Sequence, residues 1–148
     1  MSSGTWVVLV AVVAAVAFGA YRALTDGRFR GTHRLRGVSE AEPVPAASLL
    51  EGTAWADQLG ERVTFVQFSS AFCAPCRATR RILSDVAAAD GSVAHLEIDA
   101  EHHLDLVRRV GITRTPTTLV LDGAGVEVTR AVGAPTKEQV TRTIAAIG

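Results

Sequence analysis

The sequence predicts an α/β domain, a central mixed β-sheet flanked by helices, preceded by one N-terminal transmembrane helix, and three observations carry that prediction. Thr5 to Tyr21 is an uncharged run of seventeen residues. Beyond residue 62 short β-branched and aromatic runs alternate with stretches of helical periodicity. The 148 residues leave about 100 once the apolar tail and its charged neighbour are set aside, enough for one core and too few for two. The chain therefore divides into an anchor at 1–24, a linker at 25–45 and a folded domain at 46–148.

The apolar run is just long enough to span a bilayer, and Leu24 extends it if Arg22 snorkels. Trp6 and Tyr21 stand at its two ends, where amphipathic rings favour the membrane interface. A cleaved signal peptide is the rival reading, because Ala15-Val16-Ala17 imitates a cleavage site, but a basic leading segment is missing and arginines follow the run. Arg22, Arg28, Arg30, Arg34 and Arg36 all lie after it, which by the positive-inside rule puts the domain on the cytoplasmic side of the cell membrane as a single-pass protein. The same arginines also suit a solvated linker touching anionic lipid, with topology set elsewhere. Arg, Gly, Glu and the close pair Pro43 and Pro45 give the next stretch its linker character.

Leu49, Leu50, Trp55 and Leu59 suggest a short helix or an irregular segment covering one side of the core. Val63 to Phe68 suits a buried strand. From Pro75 the period becomes helical, with Thr79, Ile82, Leu83, Val86 and Ala87 on one stripe, and Gly91 ends the helix. Val93 to Ile98 reads as a second strand, and Leu104, Leu106, Val107 and Val110 as a second helix closed by Gly111. Strand–helix–strand connections imply parallel neighbours. Thr117 to Leu121 and Val126 to Val132 flank the turn residues Asp122-Gly123-Ala124-Gly125, predicting an antiparallel hairpin. A last helix starts near Thr136, whose spacing to Gln139 is that of a capping box, and Val140, Ile144 and Ile147 form its apolar face.

Fifteen basic residues balance fifteen acidic ones, so no global field favours nucleic acid. The chain has two cysteines, Cys73 and Cys76, and a bridge across so short a loop is a poor staple for a fold. Their place, where a strand runs into a helix, gives them another use. The free N–H groups and dipole of the helix N-terminus stabilise a thiolate at Cys73, making it the nucleophile. Cys76, one turn on, is placed to attack the mixed disulfide that Cys73 forms. Pro75 fits the first turn because its missing N–H has no helical partner to lose. Zinc shares this cysteine spacing but wants further ligands, and only His102 and His103 are offered. Inert buried cysteines are the other competing account.

From about Arg62 to Ile147 the sequence resembles the thioredoxin family: Phe72-Cys73-Ala74-Pro75-Cys76, Thr115-Pro116-Thr117 before the hairpin, Val132-Gly133-Ala134 after it, and the terminal helix. The resemblance implies a thioredoxin-like fold and a thiol:disulfide oxidoreductase, with protein disulfides as substrates. It implies no cofactor beyond the Cys73–Cys76 disulfide, and no metal. Pro116 takes the role of a cis-proline facing the cysteines, Thr115 offers backbone hydrogen bonds to substrate, and Gly133, Phe72, Ala74 and Pro75 border the bound chain. Cytoplasmic placement makes the enzyme a reductase fed by an electron donor such as a thioredoxin-reducing system. The alternatives are an extracytoplasmic reductase or oxidase of the cytochrome-maturation or disulfide-formation type, and a non-enzymatic module holding metal or a client.

The motif departs from the family's Trp-Cys-Gly-Pro-Cys at Phe72 and Ala74, Arg81 stands where members often have a helix-kinking proline, and two further departures bear on proton handling. Where thioredoxins bury an aspartate six residues before the first cysteine, this chain has Gln67, which cannot titrate. His95 stands where many members have a lysine. The paired replacement makes His95, or a water held by Gln67, a candidate for handling the Cys76 proton, against the simpler account of a packed, hydrogen-bonded histidine.

Overall fold

The structure is a computed structural model in which residues 3–31 and 47–147 are described. Helix α1 (Ser3–Thr25) is followed by β1 (Phe29–Gly31), β2 (Val63–Ser69), α2 (Ala74–Ala89), β3 (Val93–Asp99), α3 (Leu104–Arg109), β4 (Thr117–Asp122), β5 (Glu127–Val132) and α4 (Lys137–Ile147). The sheet has the order β1-β5-β4-β2-β3. As the sequence implies, β3 lies parallel to β2 while β4 and β5 form an antiparallel hairpin, so the sheet is mixed.

The central strand, β2, is flanked on both sides and all seven of its residues are buried. Period-two alternation sends its side chains to opposite faces. Val66 and Phe68 join Leu50, Leu96, Ile98, Leu106, Leu119 and Leu121 on one face, which α3 covers. Val63 and Phe65 join Leu83, Val86, Val93, Val120, Val140 and Ile144 on the other, beneath α2 and α4. The core is therefore two apolar layers with the sheet between them.

Local signals act where the sequence put them. Gly125, at φ 79°, closes the hairpin, and the Asp122 carboxylate accepts from the Ala124 and Val126 N–H groups at 3.0 Å each. Thr136 and Gln139 form the reciprocal cap of α4: the Thr136 N–H donates to Gln139 Oε1 at 2.7 Å, and the Gln139 N–H donates to Thr136 Oγ1 at 3.3 Å. Of the two readings for residues 49–59, the irregular one holds: this segment is a series of turns that inserts Leu50 fully into the core.

One element was not foreseen. Phe29–Gly31, inside the stretch read as linker, forms an edge strand antiparallel to Thr129–Ala131 of β5. Three residues carry too weak a periodicity to announce a strand, and the pairing partner lies about a hundred positions away. The rest of that stretch, residues 32–45, lies outside the described residues, together with Arg34, Arg36, Pro43 and Pro45. Helix α1 is long and apolar enough to cross a membrane, and none of its residues from Gly4 to Thr25 is buried.

Leu83, fully buried under α2, tests the layer on that face. Leu83→Ala is expected to cost about 2–5 kcal/mol, read from the urea midpoint, whereas Leu104→Ala, at a position 49% exposed, should stay within about 0.5 kcal/mol of wild type.

Candidate active site

The end of β2 and the start of α2 place the two cysteines. The Cys73 N–H donates to Ser70 O at 3.3 Å, turning the chain out of the strand. Cys73 then sits as the N-cap of α2, with φ −92° and ψ 100°, and its Sγ accepts from the Cys76 N–H at 3.1 Å. Pro75 lies in the first turn, where a missing N–H costs nothing. Cys73 and Cys76 form a disulfide, their Cα atoms 5.2 Å apart. The two sulfurs are not equivalent. Cys73 is partly exposed while Cys76 is only 2% exposed, so the first sulfur is open to solvent and the second is enclosed.

Phe72, Ala74 and Pro75 surround Cys73 on the surface, and the Phe72 ring is 99% exposed. The loop before β4 approaches from the other side. The Thr115–Pro116 bond is cis, and the Thr115 and Ser70 hydroxyls are 3.0 Å apart. Gly133, at φ 99°, donates its N–H to Pro116 O at 2.8 Å, so the turn after β5 backs that loop.

A polar seam runs beneath α2 through a mostly apolar layer that also buries Thr79 and Thr118. Gln67 is fully buried and donates from Nε2 to the Cys76 carbonyl at 2.9 Å. Its Oε1 lies 3.3 Å from His95 Nε2, and His95 Nδ1 lies 3.1 Å from Ser84 Oγ. Donor rules fix this chain. A carbonyl only accepts, so the Gln67 amide nitrogen faces Cys76 and its oxygen faces His95; the neutral imidazole then carries its proton on Nε2 and accepts from Ser84 on Nδ1. Burial pushes the His95 pKa below its ordinary value; Glu97 opposes this and Arg80 adds to it. Arg80 and Glu97 pair with each other, Nε to Oε2, at 2.5 Å.

The structure thus brings Gln67, His95, Cys76 and Ser84 into one hydrogen-bonded line and sets Thr115 and Pro116 beside Ser70. Ser70 and Ser84 were not singled out from sequence; a serine next to a motif or on a helix has no distinguishing pattern, and each gains meaning only from its partner across the fold. Arg114 and Asp26, joined at 2.6 Å, were missed for the same reason. His102 and His103 lie away from the cysteines in their partners: His102 contacts Asp99 at 3.0 Å, and the His103 ring meets Trp55 edge-on. His33 lies outside the described residues.

A reactive cysteine pair capping a helix at the end of a central strand, with a cis-proline loop alongside, defines a redox domain of the thioredoxin-like class. A family model described as Thioredoxin matches residues 47–146, and the chain belongs to the thioredoxin family. Its Cys73–Cys76 pair is consistent with thiol:disulfide oxidoreductase activity. Among curated proteins, rice Thioredoxin H2-1 (Oryza sativa subsp. japonica) is 30% identical over 83 residues, covering 56% of this chain and 59% of the relative. Human Thioredoxin domain-containing protein 2 (Homo sapiens) is 35% identical over 60 residues, covering 40% of this chain and 11% of the relative. The chain thus spans less than two thirds of either relative's length. The solved structure of a thioredoxin from Nicotiana alata superposes with a TM-score of 0.53 at 28% identity, covering 59% of this chain and 74% of that one. Thioredoxin from Fasciola hepatica, at 23% identity and a TM-score of 0.55 over 62% of this chain and 86% of that one, shares the fold.

Replacing Gln67 by Leu removes the acceptor for the His95 Nε2–H and the donor to the Cys76 carbonyl. A loss of about 1–3 kcal/mol in unfolding free energy is expected, measured by chemical denaturation of the oxidised protein. The double variant Gln67→Leu/His95→Leu should recover part of that loss, since no buried donor is then left unpaired.

Proposed function

We propose that the protein is a membrane-anchored thiol:disulfide reductase whose domain faces the cytoplasm and passes electrons from a dithiol donor, such as a thioredoxin-reducing system, to protein disulfides. The observation that carries the exchange chemistry is the asymmetry of the pair: a partly exposed Cys73 capping α2 above a buried Cys76. The apolar α1 and the arginines after it support the anchor and its orientation.

The reaction runs through two exchanges. In the reduced protein the Cys73 thiolate attacks one sulfur of a substrate disulfide, forming a mixed disulfide and releasing the other substrate sulfur as a thiolate. Cys76 then gives up its proton and attacks Cys73 Sγ, closing the Cys73–Cys76 bond and freeing the second substrate thiolate. Two electrons have moved to the substrate, and a donor dithiol restores the pair. Phe72, Ala74, Pro75, Thr115, Pro116 and Gly133 bound the surface on which the substrate strand lies.

Gln67 changes how the internal step is helped. A buried carboxylate would take the Cys76 proton and repel a forming thiolate; an amide does neither. In the tautomer that the Gln67 contact requires, His95 has its Nε2 proton committed to Gln67 and its Nδ1 lone pair to Ser84. Neutral His95 therefore orients the Gln67 amide toward Cys76 rather than serving as the base, and the Cys76 proton leaves through water.

Trapping tests the function. In membranes, Cys76→Ser should stall as a mixed disulfide on Cys73, seen as a shifted, reductant-sensitive band on gels, while Cys73→Ser should neither trap a partner nor reduce insulin disulfides; full activity in Cys73→Ser would end the reading. A compartment-sensitive reporter fused after Ile147 checks the side, and an external signal would overturn the cytoplasmic placement. The role of His95 has its own signature. Because its pKa lies below the ordinary value of 6.5, the ring is neutral at pH 7, and the imidazolium forms only in more acid solution, where its charge beside Gln67 favours thiolates. Wild type and His95→Gln should share one rate profile above about pH 6.5 and separate below it, with wild type faster; profiles that overlap throughout would leave His95 as packing alone.

A further inference from the structure

The end of the anchor helix is built into the catalytic domain. Only Asp26, Gly27 and Arg28 lie between the last residue of α1 and the first of β1. The Asp26 N–H still donates to Arg22 O at 2.9 Å, and the Gly27 N–H already donates to Val132 O at 2.8 Å. Gly27, at φ 74°, approaches the Ala134 carbonyl so closely that a Cβ there would collide with it. Phe29–Gly31 then pairs with β5. Residues 26–31 of the stretch read from sequence as a linker are therefore docked on the sheet, so they do not act as a tether between anchor and domain.

That docking point is also the back of the exchange site. Asp26 Oδ1 accepts from Arg114 Nη2 at 2.6 Å, and the same nitrogen donates to Val132 O at 3.2 Å. Hydrogen bonding to Arg114 holds the Asp26 carboxyl below the usual carboxylate range, which keeps the pair charged at neutral pH. A Cβ added to Gly133 would stand 2.9 Å from Gly27 N and 3.2 Å from Asp26 Cβ. Arg114 immediately precedes the cis Thr115–Pro116 bond, Thr115 touches Ser70, and Ser70 O holds the Cys73 N–H. A short series of direct contacts thus runs from the end of α1 to the nucleophile, with no free chain in it.

Helix α1 is apolar around its circumference, from Trp6, 57% exposed, to Leu24, 70% exposed. The 22-residue candidate span Gly4–Thr25, with Arg22 near its end, is about 33 Å long, enough to cross a hydrocarbon core. We infer that α1 holds the exchange site at a fixed height against the bilayer surface, and that its substrates are disulfides of membrane proteins lying within a few residues of their own spans. This rests on reading α1 as a membrane span and Cys73–Cys76 as the exchanging pair. A domain on a flexible leash would sample all heights, and the gain in effective concentration would fall only gradually with distance. A docked domain reaches one layer.

The test uses the full chain in phosphatidylcholine vesicles, with a single-span peptide as substrate. The peptide carries a cysteine–glutathione mixed disulfide either about three residues from its span or beyond a stiff proline-rich spacer of about ten residues, which adds roughly 30 Å. Reduction of the near disulfide by the pre-reduced chain should be at least about tenfold faster. A flexible Gly/Ser insertion of about twenty residues between Thr25 and Asp26 leaves the Asp26–Arg114 and β1–β5 contacts in place and should bring the two rates within about twofold. Equal rates in the uninserted chain, or a preference that survives the insertion, would overturn the inference. Carbonate washing of the same vesicles and reduction of a small soluble aromatic disulfide are read separately: loss of the chain on washing overturns the anchor reading, and an inert chain overturns the exchange reading.

Discussion

The junction where β2 gives way to α2 is the constraint on which the site depends. A strand buried on both faces cannot shift by one residue without exchanging its two apolar sets, Val63 and Phe65 for Val66 and Phe68. Its end is therefore fixed, and with it the residue that caps the helix. Cys73 occupies that cap, so the sulfur faces the unpaired N–H groups of the first turn because the register of the sheet allows nothing else. The packing of α2 over the sheet then buries Cys76 one turn further on. Reactivity and protection are two results of one placement.

The same face of the sheet carries a cost. Gln67 and His95 interrupt an apolar layer, and buried polar groups are tolerated only when their hydrogen bonds are made. Here they are made to each other, to the Cys76 carbonyl and to Ser84, in a line whose donors and acceptors admit one arrangement. An amide at this position gives directional support to Cys76 without adding charge beneath it. The pair Arg80 and Glu97 sits at the outer end of this region, on α2 and β3, and sets the field that His95 feels. Packing on this face and the titration of His95 are linked through the same few atoms.

On the opposite side of the motif, Arg114 connects the cis-proline loop to Asp26 and so to α1. The interactions are few and partly exposed, but they act together with a strand pairing and with glycine contacts that leave no room for side chains. A surface ion pair alone contributes little. Here it closes a loop whose ends are already held, so it needs to fix only orientation.

Much of the fold was legible in the chain itself because the signals are local. Short β-branched and aromatic runs and helical spacings located β2 to β5 and α2 to α4, Asp122 to Gly125 announced the hairpin, and Thr136 with Gln139 announced the last helix. The position of the cysteine pair at a strand-to-helix boundary was also readable, because the apolar run of β2 stops just before it. The tertiary structure alone decided what depends on distant partners: β1 pairing across the sheet, the irregular insertion of Leu50, the amide orientation of Gln67 and the tautomer of His95, and the contact of Asp26 with Arg114. A sequence states which residues can make a hydrogen bond or fill a layer. Which of them meet is settled by long-range packing, and that is why the cysteine pair was readable in advance while its surroundings were not.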